Sequence, residues 1–229
     1  MALYPLENLP DILVIRRDYF DYYIVHAGLV DAALDLIRQD MDENRETDVY
    51  AYRLADETAC YDAPLRQIVW SRRGLYSQSS YGHEWPSTEK LLRSHTCILH
   101  GHTPCQLLRR EGYYRYGDRN LFWKSQRILF SEDLQSFDLD SNVKGRYEPT
   151  DLYRGLTCIC LETIEEAAEQ DAGRLTIDGL LNARNGVFGV PYTFGYADIP
   201  GGSIDRIRLA KPEMKTICFD ERRALCVRK

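Results

Sequence analysis

The sequence predicts a mixed α/β (α+β) fold over residues 1–162, followed by a linker and a small β-rich appendage over 163–229. Three observations carry that expectation. Short apolar, β-branched runs share the first half with one clear helical repeat, the pattern of strands and helices mixed in one domain. Two of those runs end in a histidine beside a glycine: Tyr23-Ile24-Val25-His26-Ala27-Gly28 and Ile98-Leu99-His100-Gly101-His102-Thr103-Pro104. From Gly173 onward Gly and Pro are frequent and helical periodicity is absent.

Each element follows from its local pattern. Residues 13–17 and 22–27 read as strands split by a turn around Asp18. Residues 30–41 read as a helix, because Leu34, Ile37 and Met41 recur at spacings of three and four and Asp31 and Asp35 lie early, against the positive end of the dipole. Residues 42–48 form a polar loop. Residues 64–72 suit a short helix, with Asp62 near its start and Gly74 beyond its end. Residues 76–86 are rich in Ser, Tyr and Gly and read as a surface loop. Residues 87–94 give a short helix opened by Ser87, and 96–100 a buried strand. Strands are next expected at 106–110, 113–116, 122–130 and 137–139, parted by Glu111-Gly112 and Gly117-Asp118. Residues 156–161, Leu-Thr-Cys-Ile-Cys-Leu, read as another buried strand. Alternation puts Cys158 and Cys160 on one face among apolar neighbours, so they read as packed thiols rather than metal ligands. Residues 162–172 are acidic and Ala-rich, an exposed helix or linker. Residues 215–219 and 224–228 form a terminal hairpin.

Composition excludes several classes of partner. A net charge of −6 and a pI near 5.4 oppose nucleic-acid binding, since phosphate backbones need a basic stripe. Arg72-Arg73 and Arg109-Arg110 are local basic pairs with acidic residues around them. No apolar run is long enough for a membrane span, so no membrane partner is expected. The first residues, Met1-Ala2-Leu3-Tyr4-Pro5-Leu6-Glu7, lack the basic and apolar regions of a signal peptide. Seven cysteines without a C-x-x-C pair fit a reducing compartment, and the expected location is the cytoplasm.

The chemistry centres on the two histidines. Hydrolysis of a phosphate ester at a two-metal centre needs carboxylate, imidazole and amide ligands, plus cationic side chains for the remaining phosphate oxygens. His26 and His102 suit the imidazole role, although either one alone reads better as an ordinary strand-end histidine. Around them stand further landmarks, in order: Trp70-Ser71-Arg72 between the two histidine motifs, Asp138-Leu139-Asp140-Ser141-Asn142 after them, then Leu156-Thr157-Cys158-Ile159-Cys160-Leu161. This ordered set resembles the bacterial serine/threonine phosphoprotein phosphatases of the calcineurin-like metallophosphoesterases, over roughly residues 3–162.

The resemblance implies a two-sheet sandwich flanked by helices. It implies that His26 and His102 bind the same one of two divalent metal ions (manganese, iron or zinc), and that Arg72 holds the substrate phosphate. The implied reaction is hydrolysis of a phosphomonoester, with a phosphorylated substrate such as a phosphoprotein as partner. His100 has no ligand counterpart in the family and reads as structural. Asn142 stands where the family has Gly. The family's G-D-x-H-G, G-D-x-x-D-R-G and G-N-H-E elements, which supply the other ligands, are not in this sequence. The expectation is therefore the C-terminal part of such an enzyme, inactive without those ligands: either truncated, or split and completed by a separate chain carrying the N-terminal half. A sheet lacking that half should expose apolar surface and unpaired edges. The alternative is a degenerate, non-catalytic phosphatase acting as a binding module. No phosphate loop, nucleophile elbow, H-E-x-x-H or G-x-G-x-x-G motif offers other chemistry.

Overall fold

A computed structural model describes residues 9–55, 68, 85–102, 129–130, 134–140, 159, 161–182 and 212–229. Their elements are β1 (Ile12–Arg16), β2 (Asp21–Val25), α1 (Asp31–Glu43), β3 (Val49–Leu54), α2 (Thr88–Arg93), β4 (Thr96–His100), β5 (Leu129–Phe130), β6 (Ser136–Asp138), α3 (Leu161–Glu169), α4 (Ile177–Asn182), β7 (Met214–Phe219) and β8 (Leu225–Arg228). The chain is mixed α/β, and it divides into two units: Met1–His102 with Glu213–Lys229, and Thr103–Pro212.

The first unit is built on a mixed sheet with the order β4-β2-β1-β3-β7-β8. β1 and β2 form an antiparallel hairpin from Ile12↔Val25 to Arg16↔Asp21, closed where the Arg17 N–H donates to the Phe20 carbonyl at 2.9 Å. β3 pairs with the other side of β1, also antiparallel. β2 and β3 therefore run the same way with β1 between them. Strands that run the same way need a long crossover, and α1 supplies it. β4 lies parallel to β2, and β7 parallel to β3.

α1 has the apolar spacing its sequence predicts. Ala33, Leu34, Ile37 and Met41 are all fully buried. They belong to one core with alternate residues of the strands, among them Ile12, Val14, Tyr23, Val25, Tyr50, Tyr52, Ile98 and Ile217. Burying a Leu, Ile or Met side chain contributes about 1.5–3 kcal/mol, so Leu34, Ile37 and Met41 fasten α1 firmly to the sheet. Leu13, Ile15 and Ile24 alternate onto the opposite sheet face and are half-buried. α2 is capped by Ser87, whose hydroxyl accepts from the Lys90 N–H at 3.2 Å. Lys90 ties α2 to α1, with Nζ 2.7 Å from Asp31 and 2.6 Å from Asp35.

The terminal hairpin does not belong to an appendage, as its sequence position suggests; it extends the first unit's sheet. β7 registers against β3 from Ala51↔Met214 to Leu54↔Ile217. The pairing is reinforced by a buried ion pair, Lys215 Nζ to Asp40 Oδ2 at 2.6 Å, with the two side chains 8% and 12% exposed. The Tyr52 hydroxyl donates to the same Oδ2 at 2.7 Å, and Asn44 donates to Oδ1 at 3.1 Å. Burial, then the contact with Asp40, pushes the Tyr52 phenol far above its ordinary range, which keeps it a donor.

In the second unit β5 and β6 pair antiparallel, Leu129↔Asp138 and Phe130↔Phe137. α3 is not an exposed linker: Thr163, Ile164, Ala167 and Ala168 form a buried face. It begins at Leu161, where the sequence pattern closes a strand; among the residues before it, Ile159 is described and forms a single bridge. The turn that follows α3 closes at Gly173, with φ 85°, whose N–H returns to the Ala168 carbonyl at 2.8 Å, a left-handed stop that suits glycine. α4 is a further helix that the sequence pattern does not predict. Its local signal is Thr176, whose hydroxyl accepts from the Gly179 N–H at 3.1 Å. Among the described residues no helix is long and apolar enough to cross a membrane.

Candidate metal centre

His26 follows the last residue of β2, and His102 lies two places beyond β4. These strands are parallel neighbours, with Ile24 opposite Leu99, so their C-terminal ends reach the same edge of the sheet. The ladder continues one step further, where the Gly101 N–H donates to the His26 carbonyl at 2.9 Å. The two imidazoles consequently meet despite 76 residues of separation. His26 Nε2 is 3.0 Å from His102 Nδ1, with ring centroids 4.9 Å apart and planes at 64°.

The backbone at His102 is held in the left-handed region, with φ 68°. A non-glycine residue there costs roughly 1–2 kcal/mol, though His tolerates it better than most. That turn also takes His102 out of the strand alternation that His100, the last residue of β4, still follows. His100 stays inside the sheet, 4% exposed, while His26 is exposed and His102 half-buried.

The loop after His26 is fixed from two sides. The Ala27 and Gly28 N–H groups both donate to the Ile68 carbonyl, at 2.9 and 3.3 Å. Over Gly28 lies Trp85: a Cβ added at Gly28 would fall 1.5 Å from the indole Cη2. Gly28, two places after the first histidine, is therefore required for space. Sequence reasoning missed Trp85, which falls in a segment that reads as surface loop. Its one signal is a large aromatic among small polar residues.

The pair can do one of two things. One ring can donate its N–H to the other, the choice set by tautomer, or both lone pairs can face one cation. Two nitrogens each about 2.0–2.1 Å from an ion sit roughly 3.0 Å apart at a right angle and about 3.4 Å apart at the tetrahedral angle. The observed 3.0 Å spacing therefore fits two ligands of one ion with little movement. Such an ion would need the His26 proton on Nδ1 and the His102 proton on Nε2. Among the described residues no third His, Cys, Asp or Glu completes a ligand group. The donor set thus fits part of a metal site and fills two positions of it.

Arg72 lies outside the described residues, as does the rest of the Trp70-Ser71-Arg72 element. Of the Asp138-Leu139-Asp140 element, Asp138 is fully buried in the second unit, and its Oδ1 accepts from the Asp140 N–H at 2.9 Å. Burial raises its carboxyl well above the ordinary range, so it favours the protonated form. A cleft of about 460 Å³ in the first unit is lined by Arg38, Ser87, Glu89, Lys90, Arg93 and Ser94. Its cations are matched by acids, Lys90 by Asp31 and Asp35, Arg38 by Asp21 and Arg93 by Glu89, so it presents no surplus charge to an anion.

No protein-family model, no curated protein and no solved structure matches this chain.

Proposed function

We propose that this chain contributes part of the active site of a metal-dependent phosphoester hydrolase of the phosphoprotein-phosphatase kind. His26 Nε2 and His102 Nδ1 are two ligands of one divalent ion: manganese, iron or zinc. The observation that carries the reading is the 3.0 Å approach of two imidazoles at the ends of neighbouring parallel strands. The ordered motifs around them support it, and the two-sheet sandwich belongs to the same proposal. When bound, the metal supplies Lewis-acid polarisation of a phosphoryl oxygen and activation of water.

The chain's own residues bind and orient. Gly101 and Ile68 hold the two histidine loops through backbone hydrogen bonds, and Trp85 walls the turn after His26. Arg72 holds the phosphate of a phosphorylated substrate, such as a phosphoprotein, where a guanidinium can pair two oxygens at once. Two imidazoles fill at most half of a tetrahedral shell, and a catalytic zinc ordinarily has three protein ligands. The carboxylate and amide ligands that these residues lack are assigned to the N-terminal half of such an enzyme, whether on the same polypeptide or on a separate chain.

The test is hydrolysis of an aryl phosphate by the purified chain in excess manganese. Turnover should not exceed that of the His26→Ala, His102→Ala double variant. Adding the carboxylate-bearing partner should restore hydrolysis, dependent on both histidines and on Arg72. Robust metal-dependent turnover by the lone chain would overturn the assignment of the missing ligands. Capture of a phosphoprotein with no turnover under any complementation would favour a non-catalytic binding module.

A further inference from the structure

Outside the histidine pair, two reactive side chains also approach closely in the terminal hairpin. Cys218 in β7 and Cys226 in β8 are register partners, with Sγ atoms 3.6 Å apart. We infer that they form a reversible cross-strand disulfide, a modification site that takes a low-molecular-weight disulfide as its oxidant.

The geometry favours a link over mere packing. The Asp220 N–H donates to the Ala224 carbonyl at 2.8 Å, so the pair two residues further along the ladder is also of the hydrogen-bonded type. Such pairs have Cα atoms about 5.5 Å apart, inside the roughly 4.4–6.8 Å range that disulfides span. Closing the sulfurs from 3.6 Å to about 2.05 Å asks for a movement of roughly 1.5 Å. β8 can supply it: it is last in the strand order, pairs with β7, and its residues are half-buried or exposed. Side chains of hydrogen-bonded pairs stand wider than those of the other pair type, so the linked form carries strain and is readily reduced. That marks a reversible modification rather than a permanent staple.

Unequal burial gives the step an order. Cys226 is half-buried and can be reached, whereas Cys218 is 4% exposed. The Cys226 thiolate attacks one sulfur of the oxidant, forming a mixed disulfide and releasing one thiol. Cys218 then attacks the Cys226 sulfur, its proton passes to the second leaving thiolate, and that thiol departs. Two cysteine thiols are oxidised to one disulfide, and one small disulfide is reduced to two thiols. The product clamps β8 to β7, the strand anchored through Lys215 and Asp40.

The experiment treats the full chain with oxidised glutathione, blocks remaining thiols, digests it and maps the peptides by mass. The expected result is a 218–226 link with loss of two hydrogens, reversed by dithiothreitol, together with slower amide exchange over residues 225–228. In Cys218→Ser the mixed glutathione disulfide should accumulate on Cys226. Both cysteines recovered as blocked thiols, a stable mixed disulfide on the unsubstituted chain, or a link from either cysteine to another would each overturn the inference. Because the peptides are mapped on the unsubstituted chain, the outcome does not depend on whether a variant folds.

Discussion

Replacing His102 separates backbone strain from ligand function. Its φ of 68° is a conformation that costs an L side chain roughly 1–2 kcal/mol and glycine nothing. Glycine also loosens the unfolded chain, which costs roughly 0.4–1 kcal/mol relative to alanine. His102→Gly should therefore be more stable than His102→Ala by about 0.8 kcal/mol. For a chain of this size that is a rise in melting temperature of roughly 2–3 °C. Both variants lose the imidazole, so neither should gain stability from zinc, whereas the unsubstituted chain should, as any ligand that binds the folded state stabilises it. The assay is thermal and urea denaturation of the three chains with and without zinc. A His102→Gly chain no more stable than His102→Ala would refute the strain. A zinc shift surviving in either variant would refute the ligand.

Two further outcomes follow from the packing. Lys215→Ala leaves the Asp40 carboxylate buried without its ammonium partner and should cost about 3–5 kcal/mol in urea denaturation, most of it recovered in an Asp40→Asn, Lys215→Met double variant, which keeps an acceptor for Tyr52; a loss below about 1 kcal/mol would mean that solvent screens the pair. Gly28→Ala drives a methyl group into the Trp85 indole and should cost roughly 1–3 kcal/mol and weaken zinc binding, both relieved by Trp85→Ala; unchanged stability would contradict the contact.

Much of the site is legible in the sequence because its parts are local. An apolar β-branched run ending in His beside Gly needs no knowledge of the rest of the chain, and α1 announces itself through Leu34, Ile37 and Met41. The terminal hairpin is legible for the same reason, since its strands and turn are contiguous. What escapes is non-local. That β2 and β4 are neighbours follows only from the resemblance, which needs His26 and His102 at one site; that β7 pairs with β3 across 163 positions from Ala51 to Met214 is announced by no adjacent residue. β3 is hidden because Val-Tyr-Ala-Tyr-Arg-Leu is buried on both faces over its middle and lacks the alternation of a half-buried strand. α3 looks like an exposed segment because Glu162, Glu165, Glu166 and Glu169 mask a narrow buried face in which Ile164 is the one large apolar side chain. The purpose of Gly28 depends on Trp85, 57 positions away, and no pattern in the intervening segment points to it.

The central claim is that two particular nitrogens, His26 Nε2 and His102 Nδ1, share one ion. Zinc titration followed by ¹⁵N NMR of the imidazoles tests it most directly. These two resonances should move together and saturate at one equivalent, while His100 stays unchanged, and His26→Ala or His102→Ala alone should abolish the response as fully as the double variant. Independent titration of the two rings, saturation with different stoichiometries, or coordination through His26 Nδ1 would contradict it.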